Sequence, residues 1–254
     1  YRVTTRNQPL RQGLEVLSKH EGGSGIVYCA SRNGTERLAG RLAEKGIKAV
    51  PYHAGLDRAV RSRNQEAFIR DEVQVVCATI AFGMGIDKPD VRFVIHHDLP
   101  KNIEGYYQET GRAGRDGLPA DCLLLFNASD VAKQTGFIQE KTDEQEQAIA
   151  RRMLQQMVHY AETSSCRRHA LLEYFSESFA EPNCGACDNC LEPKETFDGT
   201  VAAQKFLSCV HRIRAKSGIY FGLNHVVEIL AGADTEAKDS NGMSTTYYYY
   251  LLLL

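Results

Sequence analysis

The 254-residue chain has no excess of charge: 30 Lys and Arg stand against 32 Asp and Glu, a net charge of −2 with histidine neutral. A dedicated nucleic-acid binder usually shows a basic face or a high pI, so any contact with a polyanion must rest on local positive charge. Long apolar runs are missing too. None approaches the roughly 20 residues a membrane-spanning helix needs, and Tyr1 opens into polar sequence without a charged-then-apolar leader. The expectation is no membrane partner and a cytoplasmic protein, or a nuclear one in a eukaryote. The missing initiator Met points to a piece of something longer. Also absent are Gly-x-x-x-x-Gly-Lys-Ser/Thr, the loop that cradles polyphosphate, and an Asp-Glu-x-His box that holds magnesium. By itself the chain is therefore expected to bind nucleotide weakly and not to hydrolyse it.

What is present is a hydrophobic content of 43%, enough for globular cores. Short apolar runs at Ile26 to Ala30, Lys48 to Tyr52, Val73 to Ala78, Arg92 to His96 and Cys122 to Phe126 alternate with amphipathic stretches. That pattern predicts an α/β fold with a mostly parallel sheet, whose functional loops follow the carboxyl ends of strands. Leu38 and Leu42 mark one helix ending near Gly46, Val60, Ala67 and Phe68 a second, and Asn102 caps a third carrying Ile103, Tyr106 and Tyr107. From Thr142 the pattern is helical, with apolar seams at Met153, Leu154, Met157 and Val158 and at Ala170, Leu171, Tyr174 and Phe175. Beyond Pro193, Phe206, Leu207, Val210 and Ile213 predict another helix, Gly218 a turn, and Val226 to Leu230 a short helix. The expected divisions are 1–138, 139–195 and 196–246, with 247–254, Tyr and Leu only, set aside as a tag or tail.

Chemistry concentrates in loops. In Tyr107-Gln-Glu-Thr-Gly-Arg-Ala-Gly-Arg-Asp-Gly117 two arginines stand three apart between glycines. Guanidinium donates a planar fork to phosphate oxygens and glycine lets the backbone approach closely, so Arg112 and Arg115 suit a polyphosphate. A solvated surface turn is the plainer reading of such a loop alone. Thr79 to Pro89 combines a hydroxyl, glycines including Gly85, and Asp87, which could hold a nucleic-acid phosphate, take a ribose hydroxyl or couple to the arginines. Ser31 and Arg32 sit at a helix N-terminus, itself an anion site, although Ser and Asn there are also ordinary helix caps. His53, in Tyr52-His-Ala-Gly-Leu56, is either a phosphate contact or a satisfied loop histidine.

Of eight cysteines, Cys29, Cys77, Cys122 and Cys209 lie singly among apolar neighbours and read as small buried hydrophobes. Cys184, Cys187 and Cys190 are each three residues from the next, and Cys166 at a helix end can supply a fourth corner. Four thiolates leave no position for water, so a metal here is structural; zinc and an iron–sulfur cluster both satisfy the set.

In order and spacing, Tyr28-Cys-Ala-Ser-Arg32, Tyr52-His-Ala-Gly-Leu56, Ala81-Phe-Gly-Met-Gly-Ile-Asp-Lys-Pro89 and Gln108-Glu-Thr-Gly-Arg-Ala-Gly-Arg-Asp-Gly117 resemble the later motifs of superfamily 2 helicases, in the wording of the RecQ family. The likeness runs from about Ile26 through Cys190, and Gln108, where the RNA-helicase branch has a His-Arg pair, separates the two branches. The resemblance implies a RecA-like second motor lobe, a helical four-cysteine module that holds Zn2+ rather than iron–sulfur, and a partial winged-helix segment engaging duplex DNA. It implies an ATP-dependent motor moving 3′ to 5′ on single-stranded and forked DNA, with ATP and Mg2+ bound in the complete enzyme and the first lobe supplied upstream. Arg115 is then the arginine finger and Arg112 its support, Gln108, Gly85 and Asp87 attend the nucleotide, and Ser31, Arg32, Thr79 and His53 hold the strand. His211, Arg212, Arg214 and Lys216 form a local basic patch that is either a phosphate contact or a solvated helix face. The alternative is a non-catalytic zinc-containing DNA-binding protein.

Overall fold

The computed structural model describes residues 1–82, 87–193, 195, 197–218 and 222–231. These divide into two compact units, Tyr1–Lys194 and Glu195–Leu254.

In the first unit the apolar runs become strands of one all-parallel sheet: Arg2–Thr5 (β1), Ser24–Tyr28 (β2), Ala49–Tyr52 (β3), Val75–Ala78 (β4), Val91–His96 (β5) and Asp121–Phe126 (β6), ordered β1-β6-β5-β2-β4-β3. The central strands β2, β4 and β5 are buried on both faces, which is why they read as continuous apolar runs instead of alternating ones. Gly25 shows how tightly they pair: a Cβ there would lie 1.9 Å from the Phe93 ring. β1 and the helix Pro9–Lys19 (α1) have no counterpart among the expected elements.

Helices Arg32–Ala43 (α2), Arg58–Ile69 (α3) and Ile103–Thr110 (α4) follow β2, β3 and β5. Ser31 caps α2 by accepting from the Gly34 amide (3.0 Å), and Asn102 caps α4 by accepting from Gly105 (2.9 Å). Gly46, just past α2, holds φ +81. One core gathers α1 and α2 on one face of the sheet around Val27, Cys77, Phe93 and Leu125. Another gathers Ile26, Tyr28, Phe68, Val76 and Phe82 on the opposite face.

Ala128–Gln139 (α5) opens with a capping box between Asn127 and Asp130. Glu144–Glu162 (α6) and Arg167–Tyr174 (α7) then pack Leu154, Met157, Tyr160 and Leu171 against Tyr106 and Leu124, so the helical segment shares a core with the sheet lobe. A four-residue helix, Asp188–Leu191 (α8), carries Cys190, the last of the four clustered cysteines.

The second unit, as described, is Thr200–Ser217 (α9) and Leu223–Leu230 (α10), joined through Gly218 at φ +70. Cys209, Ile213, Val226 and Ile229 form its core, with Phe206 and Val210 packed against it. Leu207, expected on the apolar face, is exposed; Cys209 takes the inward place. His211, Arg212 and Arg214 are exposed, while the Lys216 side chain and residues 232–254 lie outside the described residues.

Candidate functional site

Parallel strands put the loops after β2, β3, β4 and β5 on one edge of the sheet, and there Ser31, Arg32, His53 and Thr79 come together. The Arg32 guanidinium lies over Gly55, where an added Cβ would meet its Nη1 at 3.1 Å. That space explains the glycine in Tyr52-His-Ala-Gly-Leu56. His53 is only 3% exposed, with Nε2 3.0 Å from Glu36 and Nδ1 accepting from the Gly55 amide at 3.2 Å. Of the two readings of His53, the geometry supports the satisfied loop histidine, which shapes the turn beneath Arg32.

Asp98 organises the same edge although no sequence pattern singled it out. Its carboxylate accepts from the Ala30 amide (3.1 Å) and from Arg6 (2.7 Å), whose other nitrogen reaches the buried Asp130 at 2.5 Å. Burial alone would raise the Asp98 pKa; hydrogen bonds from His97 and Ala30 and the Arg6 charge hold it well below the usual carboxylate range.

The arginine loop sits elsewhere, which corrects the expectation that every functional loop follows a strand's carboxyl end. Gly114 donates to Val91 O (2.9 Å) and Asp116 to Pro89 O (3.2 Å), tying the loop to the residues that begin β5. Arg92 Nη2 reaches both Asp116 oxygens at 2.6 Å and fixes the loop's far side. Gly114 holds φ +65, and Ala113 packs into the core beneath. Arg115 donates to Gly111 O (3.2 Å) and pairs with Asp87 at 3.8 Å. Arg112 lies beside the Tyr28 hydroxyl, which donates to Phe82 O at 3.0 Å. Burial pushes the Tyr28 phenol up, and the Arg112 charge works against it. The structure thus brings Asp87, Arg112 and Arg115 together. Gln108 is exposed on α4, and Gly85 lies outside the described residues.

Behind the arginines, His96 Nε2 lies 2.7 Å from Glu109, and its ring stacks on Tyr28 at 5.3 Å. Sequence reasoning missed this pair, because a histidine inside a strand and a glutamate inside a helix carry no local mark.

The cysteines converge as spacing predicts. The sulfurs of Cys166, Cys184, Cys187 and Cys190 all lie within 4.8 Å of one another, with Cys187 and Cys190 at 3.4 Å. Tetrahedral Zn–S bonds place sulfurs about 3.8 Å apart, so the set fits a zinc ion. Burial would raise the Cys184 thiol, but the Ala186 amide and the Cys166 thiol draw it down to about 6, whereas burial and the neighbouring sulfurs push Cys190 up to about 12, as expected where thiols crowd together and share protons. Arg167 turns its amide toward Cys187 Sγ (3.4 Å) and its guanidinium to Asp188 (2.5 Å). Asp188 also accepts from Val3 of β1 (2.8 Å), and the Asp188 amide donates to Tyr1 O (3.0 Å). A second convergence, Cys29, His97 and Asp98, differs: Asp98 is committed to Arg6 and Ala30, and burial holds the Cys29 thiol well above its ordinary pKa. Cys29, Cys77, Cys122 and Cys209 are buried, as expected.

Three family models match in succession: the helicase conserved C-terminal domain over residues 7–117, RecQ zinc-binding over 128–191, and the RQC domain over 193–251. The chain is 46% identical over 232 residues to the ATP-dependent DNA helicase RecQ of Haemophilus influenzae, covering 91% of this chain and 37% of that protein. It is 43% identical to the protein of the same name from Bacillus subtilis, covering 91% and 38%. It is 49% identical to the RecQ-like DNA helicase BLM of Xenopus laevis, covering 74% and 15%. The chain therefore spans little more than a third of these bacterial relatives. Among the described residues, no helix is long and apolar enough to cross a membrane.

Proposed function

The chain belongs to the RecQ family of helicases, and on that premise we propose that it is the arginine-finger and strand-holding portion of an ATP-dependent 3′–5′ DNA helicase acting on single-stranded and forked DNA. The observation that carries the proposal is the arginine loop, held against β5 at its base with Arg112 at Tyr28 and Arg115 at Asp87. Such a loop has chemistry to do only against a polyphosphate bound by another lobe that supplies a phosphate loop and Mg2+.

Arg115 swings from Asp87 to the terminal phosphate, where its charge stabilises what develops as the phosphoryl bond breaks. Arg112 neutralises the neighbouring oxygens, and Gln108 attends the nucleotide from the exposed side of α4. At the carboxyl edge of the sheet, Ser31, Arg32 and Thr79 hold the backbone of the tracking strand, and His53 orients Gly55 and Arg32 from below. Zn2+ on Cys166, Cys184, Cys187 and Cys190 supplies folding energy to the helical module. The exposed His211, Arg212 and Arg214 of the second unit contact duplex phosphates.

The test joins the chain to a phosphate-loop lobe of a relative and measures DNA-stimulated ATPase for native protein and Arg115→Ala. A fall in kcat of about 10³-fold or more, with single-strand affinity kept, supports the reading. An inert native fusion that still binds DNA and zinc hands the protein to the alternative, a non-catalytic zinc-containing DNA-binding protein.

A further inference from the structure

Within the loop from Ala81 to Pro89 the proposed function gives Lys88 no part. In sequence it is a cation beside Asp87. Its side chain is only 3% exposed. Nζ donates to Asp71 at 2.7 Å and to Asp90 at 3.3 Å, and stands 5.7 Å over the Phe68 ring. Asp71 takes the Ser24 hydroxyl as well (2.8 Å) and holds φ +59, a backbone state that a non-glycine residue keeps only where its surroundings impose it. Ser24 opens β2, Asp71 precedes β4 and Asp90 precedes β5, so one ammonium gathers the starts of three strands. A buried charge stays only where partners hold it, and both partners here are carboxylates.

The other end of the loop is pinned on the same aromatic group. Phe82 is 1% exposed, packs edge-on against Phe68 (5.9 Å) and Tyr52 (4.6 Å), and takes the Tyr28 hydroxyl on its carbonyl. Asp87 lies between the two anchors, its side chain 95% exposed and facing Arg115 at 3.8 Å. Of the described residues of this segment, Thr79 lies at the edge assigned to the strand and Asp87 at the edge assigned to the nucleotide.

We propose that Lys88 is a positioning residue for Arg115: its socket fixes Asp87, and Asp87 steers the guanidinium. The assignment rests on the helicase reading. Its test uses the chain joined to a phosphate-loop lobe, comparing native protein with Lys88→Met, Lys88→Arg, Asp87→Asn and the Lys88→Met/Asp87→Asn double variant. DNA-stimulated turnover, KM for ATP, single-strand affinity and zinc content are measured for each. In Lys88→Met, kcat falls about ten- to hundredfold, the scale of a misplacement near 1 Å, while KM, strand affinity and zinc content stay at native values. Lys88→Arg recovers most of the loss, because a guanidinium also reaches two carboxylates. The double variant is no slower than the slower single variant, as expected for two residues in one line of action. Native kcat in Lys88→Met, multiplying losses in the double variant, or an arginine no better than methionine overturns the proposal. Should Lys88→Met fail to fold, Asp87→Asn, on an exposed side chain, decides: native kcat there overturns it too. A native fusion without ATPase instead overturns the helicase reading, and this assignment with it.

Discussion

Replacing Gly114 by alanine tests the geometry of the arginine loop through two separable costs. The residue holds φ +65, and an added Cβ would stand 2.7 Å from Leu118 O and 3.2 Å from Ala120 Cβ. Placing an L-residue in the left-handed region costs about 1–2 kcal/mol. The second cost is steric: a backbone oxygen cannot swing aside as a flexible side chain does, so the loop must move, at about 1–3 kcal/mol. Gly117 provides the control within the same loop, since it holds φ +81 but meets nothing within 4 Å. Urea denaturation of the zinc-loaded chain should therefore show Gly114→Ala losing about 2–5 kcal/mol in total and Gly117→Ala only the backbone part, about 1–2 kcal/mol. In the protein joined to a phosphate-loop lobe, Gly114→Ala should also lose turnover, as the shift carries Arg112 and Arg115 with it. Equal losses in the two variants would refute the steric account, and native turnover in Gly114→Ala would refute the claim that the ties to Val91 and Pro89 place the arginines.

Chelation of zinc, or Cys166→Ser, should abolish the cooperative unfolding of the first unit's helical module, read by circular dichroism, whereas Cys209→Ser leaves zinc content unchanged. Arg6→Ala removes the 2.5 Å ion pair of Asp130, whose side chain is 2% exposed and keeps only the Asn127 amide and Lys133 at 3.8 Å, and takes one of three partners from Asp98, so a loss of about 3–5 kcal/mol is expected in the same urea assay. Because the folded-state pKa of Asp98 is depressed, its contribution is present above the unfolded value near 3.9 and is lost as pH falls below it. Asp98→Asn should therefore flatten the acid limb of the stability profile below about pH 4; an unchanged limb would count against the Arg6 and Ala30 account. Tyr28→Phe removes the hydrogen bond to Phe82 O and should cost about 0.5–1.5 kcal/mol, with a larger proportional effect on ATPase than on strand binding.

The parts of this fold that were legible are those whose pattern is local. Ile26, Val76 and Val94 lie in strands buried on both faces, and such strands announce themselves as apolar runs. Cysteines three apart announce a metal for the same reason. β1 was not legible: Arg-Val-Thr-Thr has a single apolar residue, and its strand character comes from pairing with Leu123 to Phe126 more than a hundred residues away. The arginine loop was legible as chemistry but not as a place, because its position depends on Val91 and Pro89 accepting its amides. In sequence Lys88 carries no reading and His53 allows two, for a common reason. Each looks like a free polar group in sequence, and each is committed to a carboxylate that only tertiary structure brings near.

The outer edge of β1 has a bearing on the protein's fate in the cell. An unpaired strand edge is a template on which other chains add, and natural sheets keep theirs covered. Here the cover is the turn that carries the metal ligands: Asp188 accepts from Val3, and its amide donates to Tyr1. A chain that never acquires zinc leaves that border bare from the moment of synthesis. Scarcity of the metal should then show itself first as insoluble protein, before any slow enzyme could be assayed, and solubility on expression would report zinc supply.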